Sequence, residues 1–231
     1  MIFPMDTQTK ARTFVDYIKS AVGFVFVDYI DGNYGHMGAT ISDAILQAGI
    51  KYDTVVRPRI KKIRELYPEA TTTQAFGQLL QKIGPKTVLQ WQGDEKANRV
   101  VALTRLFLTQ GVETEDELRK WMESESNRCR LLTIKGIKQK TVDYIGILVG
   151  LQTTAVDRHI NTLLMEAGIQ TSSYEEARDI INLSADLLGV KRAYFDHSIW
   201  QYMSRREKQK SKPLSCRNKR PGGPGSPNLG D

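Results

Sequence analysis

Apolar residues in this chain recur at three- and four-residue intervals along almost its whole length and hardly ever alternate one-for-one with polar residues. The first spacing matches one face of a helix, and the second, which would mark a half-buried strand, is missing. An all-α protein is therefore expected. The pattern places helices at Thr9 to Val22, Thr40 to Ala48, Tyr52 to Tyr67, Thr72 to Ile83, Lys96 to Thr109 and Thr114 to Glu123. Further helices are expected at Ser126 to Leu132, Gln139 to Val149, Asp157 to Ala167, Ser173 to Leu188 and Lys191 to Arg206. Thr40 or Ser42 is available to cap the second helix. Pro58 fits the third only near a first turn or at a kink. Gly150 and Gly168 stop the two helices before them. The apolar run Gly23 to Tyr29 reads either as a strand or as a continuation of the first helix.

With 231 residues the chain can bury one large core or two small ones. It has no apolar stretch long enough for a membrane span. Residues 1–10 lack the basic start and apolar run of a signal peptide. Cys129 and Cys216 are far apart, which favours a reducing compartment over a disulfide framework. The expected location is the cytoplasm or nucleoid of a prokaryote, or otherwise the nucleus. The formal net charge of +7 is unevenly spread. Residues 205–231 hold eight basic groups against Glu207 and Asp231, so residues 1–204 are close to neutral. Those last residues, rich in Pro, Gly and Ser, read as a disordered basic tail suited to a polyanion.

Residues 134–160 carry the chemistry. They read Ile-Lys-Gly-Ile-Lys-Gln-Lys-Thr, then an apolar helix, then Thr-Ala-Val-Asp-Arg-His-Ile. Lys140 and Asp157 thus stand 17 residues apart, at the two ends of one short helix and a loop. An amine and a carboxylate held close together can attack and break a glycosidic bond. Asp157 is also the natural N-cap of the next helix, a role compatible with chemistry because a capping carboxylate points out of its helix. Asp143, one turn beyond Lys140, reads as an ordinary i,i+3 partner for it. His36, His159 and His197 lack metal-ligand spacing, so no metal site is assigned.

The same residues resemble the hairpin and aspartate loop of the helix-hairpin-helix DNA glycosylases, the endonuclease III and MutY-type superfamily. That family's pattern is Leu-Pro-Gly-Val-Gly-x-Lys-Thr followed by Val-Asp-x-His. This chain departs from it twice, with Lys135 for the proline and Lys138 for the second glycine. Looser matches extend to Ile45-Leu-Gln-Ala-Gly, to Lys96-Ala-Asn-Arg-Val-Val and to the helix of Arg192 to Trp200. The resemblance implies two helical subdomains with an active-site cleft between them. Residues 41–150 would form one, ending in the helix-hairpin-helix at about 126–149, and residues 1–40 with 151–204 the other, anchored by Phe195, Ile199 and Trp200.

It further implies a bifunctional DNA glycosylase and abasic-site lyase, with Lys140 as nucleophile and Asp157 as its carboxylate. The DNA backbone would be gripped at Lys135, Gly136, Ile137, Lys138, Gln139 and Thr141. Gln47 is the candidate to fill the gap left by an extruded base, and Tyr52 and Tyr144, with Trp91, are candidate pocket walls. No iron–sulfur cluster is expected, because the family's cluster loop is missing and a cluster needs four thiolates. The hairpin carbonyls are candidates to hold a monovalent cation. The expected partner is double-stranded DNA carrying a damaged, mismatched or modified base, bound by a monomer. Two alternatives stand beside this reading: a non-catalytic DNA-binding protein, and a monofunctional glycosylase. Keeping both Lys140 and Asp157 favours the enzyme, since phosphate binding needs neither.

Overall fold

The computed structural model describes residues 6–210 and is all-α, with twelve α-helices, one π-helical turn and no strand among the described residues. The first helix, α1 (Thr7–Ser20), is capped by Asp6, whose Oδ1 accepts the Thr9 N–H at 2.8 Å. The apolar run after it is neither strand nor helix. It lies extended along the last helix, tied there by the Val27 N–H to Ser198 Oγ bond.

Next comes α2 (Met37–Leu46), buried at every one of its positions. A helix surrounded on all sides has no polar face to spare, which explains its nearly unbroken run of small and apolar residues. Its cap is His36, whose Nδ1 accepts the Ala39 N–H, rather than Thr40 or Ser42. Those two are buried within the helix, where Ser42 donates to Gly38 O and Thr40 to Glu115. A π-helical turn (Tyr52–Val56) leads into α3 (Arg57–Leu66), with Pro58 in the first turn where its missing N–H costs nothing. Packed around these are α4 (Thr73–Ile83), the short α5 (Pro85–Leu89), α6 (Asp94–Thr109), α7 (Glu115–Glu123), α8 (Glu125–Leu131) and α9 (Gln139–Leu148). A capping box at Thr114 and Glu117 opens α7.

The remaining helices are α10 (Arg158–Glu166), α11 (Tyr174–Leu188) and α12 (Arg192–Lys210). The apolar side chains sort into two principal clusters. One surrounds α2 and draws on residues 37–149. The other joins α1 to α10, α11 and α12, with Phe14 and Phe195 in edge contact at its centre. Ile199 belongs to this second cluster, whereas Trp200 stands outside it, stacked on His197 and edge-on to Tyr52. Ile147, Ala155 and Ala193 form a small third cluster, with Ile30 and Tyr144 packed against it.

Helix α12 continues well into the segment expected to be tail. Residues 205–210 are mostly good helix formers. Arg206 pairs with Glu166, Glu207 with Arg158, and Lys208 with Asp53. The rest of the expected basic tail, 211–231, lies outside the described residues. No described helix is long and apolar enough to cross a membrane.

Candidate active site

The turn between α8 and α9 is built on Gly136, which takes a φ of +87°, a region open to glycine at little cost. A side chain here would also collide with Arg99, because an added Cβ would lie 2.1 Å from its guanidinium. Arg99 reaches under the turn and donates to Lys135 O at 3.0 Å. Lys138, standing where the family pattern has its second glycine, has φ −123° and ψ 174°, an extended conformation any residue adopts. Lys135, Gly136 and Lys138 are exposed and Gln139 is partly so. Ile137 and Thr141 are buried, and the Thr141 N–H is used by Lys138 O. The turn therefore offers its lysines and the open start of α9 to solvent, with no side chain capping that helix.

Lys140 lies in the first turn of α9, and its amine looks across the seam between the two principal clusters. Asp157 caps α10 with one oxygen, Oδ1 accepting the N–H groups of His159 and Ile160 at 2.8 and 3.2 Å. The other oxygen, Oδ2, faces Lys140 Nζ at 3.9 Å. With side chains 33% and 19% exposed, the pair contributes at most about 1 kcal/mol to stability. Stability alone does not account for the placement.

The loop that delivers Asp157 is pinned by side chains from three helices. Asp143 of α9 accepts from Thr153 and, at 2.8 Å, from the Tyr174 hydroxyl of α11. Tyr174 in turn accepts the Val156 N–H. Asn182 of α11 accepts from Thr154, and Asp196 of α12 takes the Ala155 N–H at 2.8 Å. Asp143 is thus turned toward the loop and is not the i,i+3 partner of Lys140. Its burial raises its pKa, while the bonds from Tyr174 and Thr153 and the charge of Arg178 oppose the rise.

On the first cluster's side, Gln47 follows α2 and accepts from Lys140 Nζ at 3.2 Å through Oε1. Its Nε2 is buried with no hydrogen-bond partner, a state that costs about 1–3 kcal/mol. Gln47 lies inside the site, turned to Lys140, and does not project from the surface. Lys96 holds the end of α2 by donating to the carbonyls of Ile45, Leu46 and Ala48. Burial, reinforced by the charges of Arg99 and Lys140, brings its pKa down to about 8.

One turn back along α2, Asp43 is completely buried. The Tyr34 and Tyr52 hydroxyls donate to its Oδ2 at 2.6 and 2.8 Å, and Tyr144 donates to Oδ1 at 3.2 Å. Burial pushes the Asp43 carboxyl up to about 6, against the pull of these three phenols. Tyr52 and Tyr144 therefore converge on a buried acid, and Trp200 closes over Tyr52 edge-on. Trp91 stands apart, beneath Arg59 and Lys96. Sequence reasoning passed over Asp43, Tyr34 and Asp196. A signal for Asp43 existed, since it is the one acidic residue in the apolar run 37–46 and sits four residues before Gln47.

Comparison with solved structures gives the fold. The 3-methyladenine DNA glycosylase MagIII of H. pylori, determined with bound 1,N6-ethenoadenine, superposes with a TM-score of 0.52 at 18% identity, covering 90% of this chain and all of that one. The 8-oxoguanine DNA glycosylase of Methanocaldococcus jannaschii gives 0.47 at 17% identity over 86% of each chain. The all-α fold is thus one that this chain shares with MagIII. No curated protein matches the chain. Residues 26–204 match the model of the family described as Domain of unknown function (DUF8548), and the chain belongs to that family.

Proposed function

We propose that this protein is a DNA glycosylase with abasic-site lyase activity, acting on a base rotated out of duplex DNA. The observation that carries this reading is the 3.9 Å approach of Lys140 Nζ to Asp157 Oδ2 at the seam, beside an open helix start among lysines. The hairpin turn and its lysines hold the phosphates, a contact that positions the duplex without reading its sequence. The target nucleotide unstacks at a cost of a few kcal/mol. Asp157 stabilises the positive charge growing on the sugar as the glycosidic bond lengthens. Lys140, its proton passed to Asp157, attacks C1′ and the base departs with its electron pair and takes up a proton. The resulting amine adduct opens to a Schiff base, which acidifies the C2′ proton, and β-elimination expels the 3′ phosphate.

Borohydride reduces such a Schiff base to a stable protein–DNA adduct. Duplexes each carrying one oxidised, alkylated, deaminated or mismatched base are incubated with the protein and borohydride. Trapping and cleavage of at least one duplex are expected from the wild type, with Lys140→Gln losing the adduct but keeping duplex affinity. If neither any lesion nor an abasic duplex is cut or trapped, the non-catalytic binding protein is the correct reading. One observation favours a second enzyme reading, a glycosylase without lyase activity. Lys140 is gripped by an amide oxygen and faced by a carboxylate, partners that suit an ammonium group as well as a nucleophile. Base release without any trapped adduct identifies that case.

A further inference from the structure

Asp196 has no part in the mechanism just described. It sits on α12, one turn after the buried Ala193, and its Oδ2 accepts the Ala155 N–H, two residues before Asp157. The electrostatic neighbours of its carboxyl are Asp157 at the start of α10 and Lys140 and Asp143 on α9. Tyr174 of α11 faces it as well. Asp143 is itself faced by Arg178 and Arg128. One carboxyl group of α12 thus touches the loop that carries Asp157 and feels the charge of both members of the Lys140–Asp157 pair.

We propose that Asp196 is a positioning residue of this site, anchoring the Asp157 loop through Ala155 and setting the charge against which Lys140 and Asp157 exchange a proton. The proposal rests on the glycosylase reading above and deepens it. Loss of solvent is the main influence on the group, the charge of Asp157 adds to it, and together they push its pKa up to about 8. The Ala155 N–H and the charge of Lys140 pull the other way. At neutral pH Asp196 is then chiefly a neutral carboxylic acid and adds no charge of its own beside the pair. Above about pH 8 a second negative charge appears beside the pair. That charge holds the Lys140 proton more firmly and opposes formation of the free amine. A proton on Asp196 therefore keeps the nucleophile available, while its carbonyl oxygen keeps the loop in place.

The test combines two substitutions with two readouts. Asn copies the neutral acid and keeps an acceptor for Ala155, whereas Ala removes both. On an abasic duplex, the rate of borohydride trapping against pH is expected to bend downward near pH 8 in the wild type. Asp196→Asn should trap at pH 7 within about threefold of wild type and lack that bend, while Asp196→Ala should be slower by tenfold or more at every pH. Identical bends in wild type and Asp196→Asn, or an Asp196→Asn protein that is folded but inactive at pH 7, overturn the proposal. The second readout does not need activity. Carboxyl-carbon NMR of the full chain should show Asp196 titrating near pH 8, shifted downward by Asp157→Asn and upward by Lys140→Gln. A titration near 4, or one indifferent to both substitutions, overturns the proposal even if the protein cleaves DNA. A protein that never traps DNA but shows these opposite shifts retains the Asp196 coupling and loses the lyase reading.

Discussion

The two halves of the candidate site are held in different ways. Lys140 is positioned by regular structure: it lies in the first turn of α9, whose backbone ladder fixes its Cα, and apart from its pairing with Asp157 its tip donates to Gln47. Asp157 stands at the end of an irregular loop, and its place depends on hydrogen bonds that the loop donates to Asp143, Tyr174, Asn182 and Asp196. Regular backbone can be replaced piecemeal with little effect. A loop pinned by side chains is cooperative, so removing one partner strands another. The Asp157 half should therefore be the more sensitive to substitution away from the reacting groups.

The largest effect belongs to Asp157 itself. Asp157→Asn keeps a competent helix cap, since Asn caps about as well as Asp, so its melting temperature should stay near wild type. Base release should slow by about a hundredfold to a thousandfold, the usual loss when one electrostatic stabiliser is removed. A large fall in stability with unchanged turnover of the folded fraction would make Asp157 a structural cap and nothing more. Asp143→Ala comes next. It deprives the Tyr174 and Thr153 hydroxyls of their acceptor, and urea unfolding should register about 1–3 kcal/mol. Its rate should also drop, by up to about a hundredfold, because the loop is displaced. If Asp143→Ala is as active as wild type, the loop is not the sensitive half.

The buried acids give a third test. The folded pKa of Asp43 lies above its unfolded value, so the folded chain binds the proton more tightly. The stability this contributes is fully present below about pH 4 and is lost as pH rises through about 6. The stability difference between wild type and Asp43→Asn should then change by on the order of 2 kcal/mol from pH 4 to 7, turning against wild type. A difference independent of pH would mean that the three phenols hold Asp43 as an ordinary carboxylate. The smallest effect is on the Lys140 half. Gly136→Ala must place a side chain at positive φ and displace Arg99, at a cost of about 1 kcal/mol or a little more. Duplex affinity should weaken modestly, as read by fluorescence anisotropy, and the rate on bound substrate should hold. A collapse of activity there would reverse the order of the two halves.

Much of this was legible because it rests on local chemistry. Helical periodicity, the capping box at Thr114, the glycine of the hairpin and the interval from Lys140 to Asp157 are all properties of neighbouring residues. Four features were not legible. The segment after α1 runs extended because α12 offers it Ser198, a partner 171 positions away. His36 takes the cap of α2 because Thr40 and Ser42 are swallowed by the surrounding helices. Residues 205–210 become helix through ion pairs to distant acids and bases. Above all, Asp196 looks like an ordinary surface acid in the sequence, and only the packing around it raises its pKa well above the usual carboxylate range.

The central claim is that Lys140 forms the covalent bond to DNA, and the most direct measurement is to locate that bond. The borohydride-reduced adduct on an abasic duplex, digested and sequenced by tandem mass spectrometry, should carry the sugar fragment on the peptide containing Lys140, at that residue. A fragment on Lys138, Lys135 or Lys96 would contradict the account, because those amines are not the one facing Asp157 across the seam.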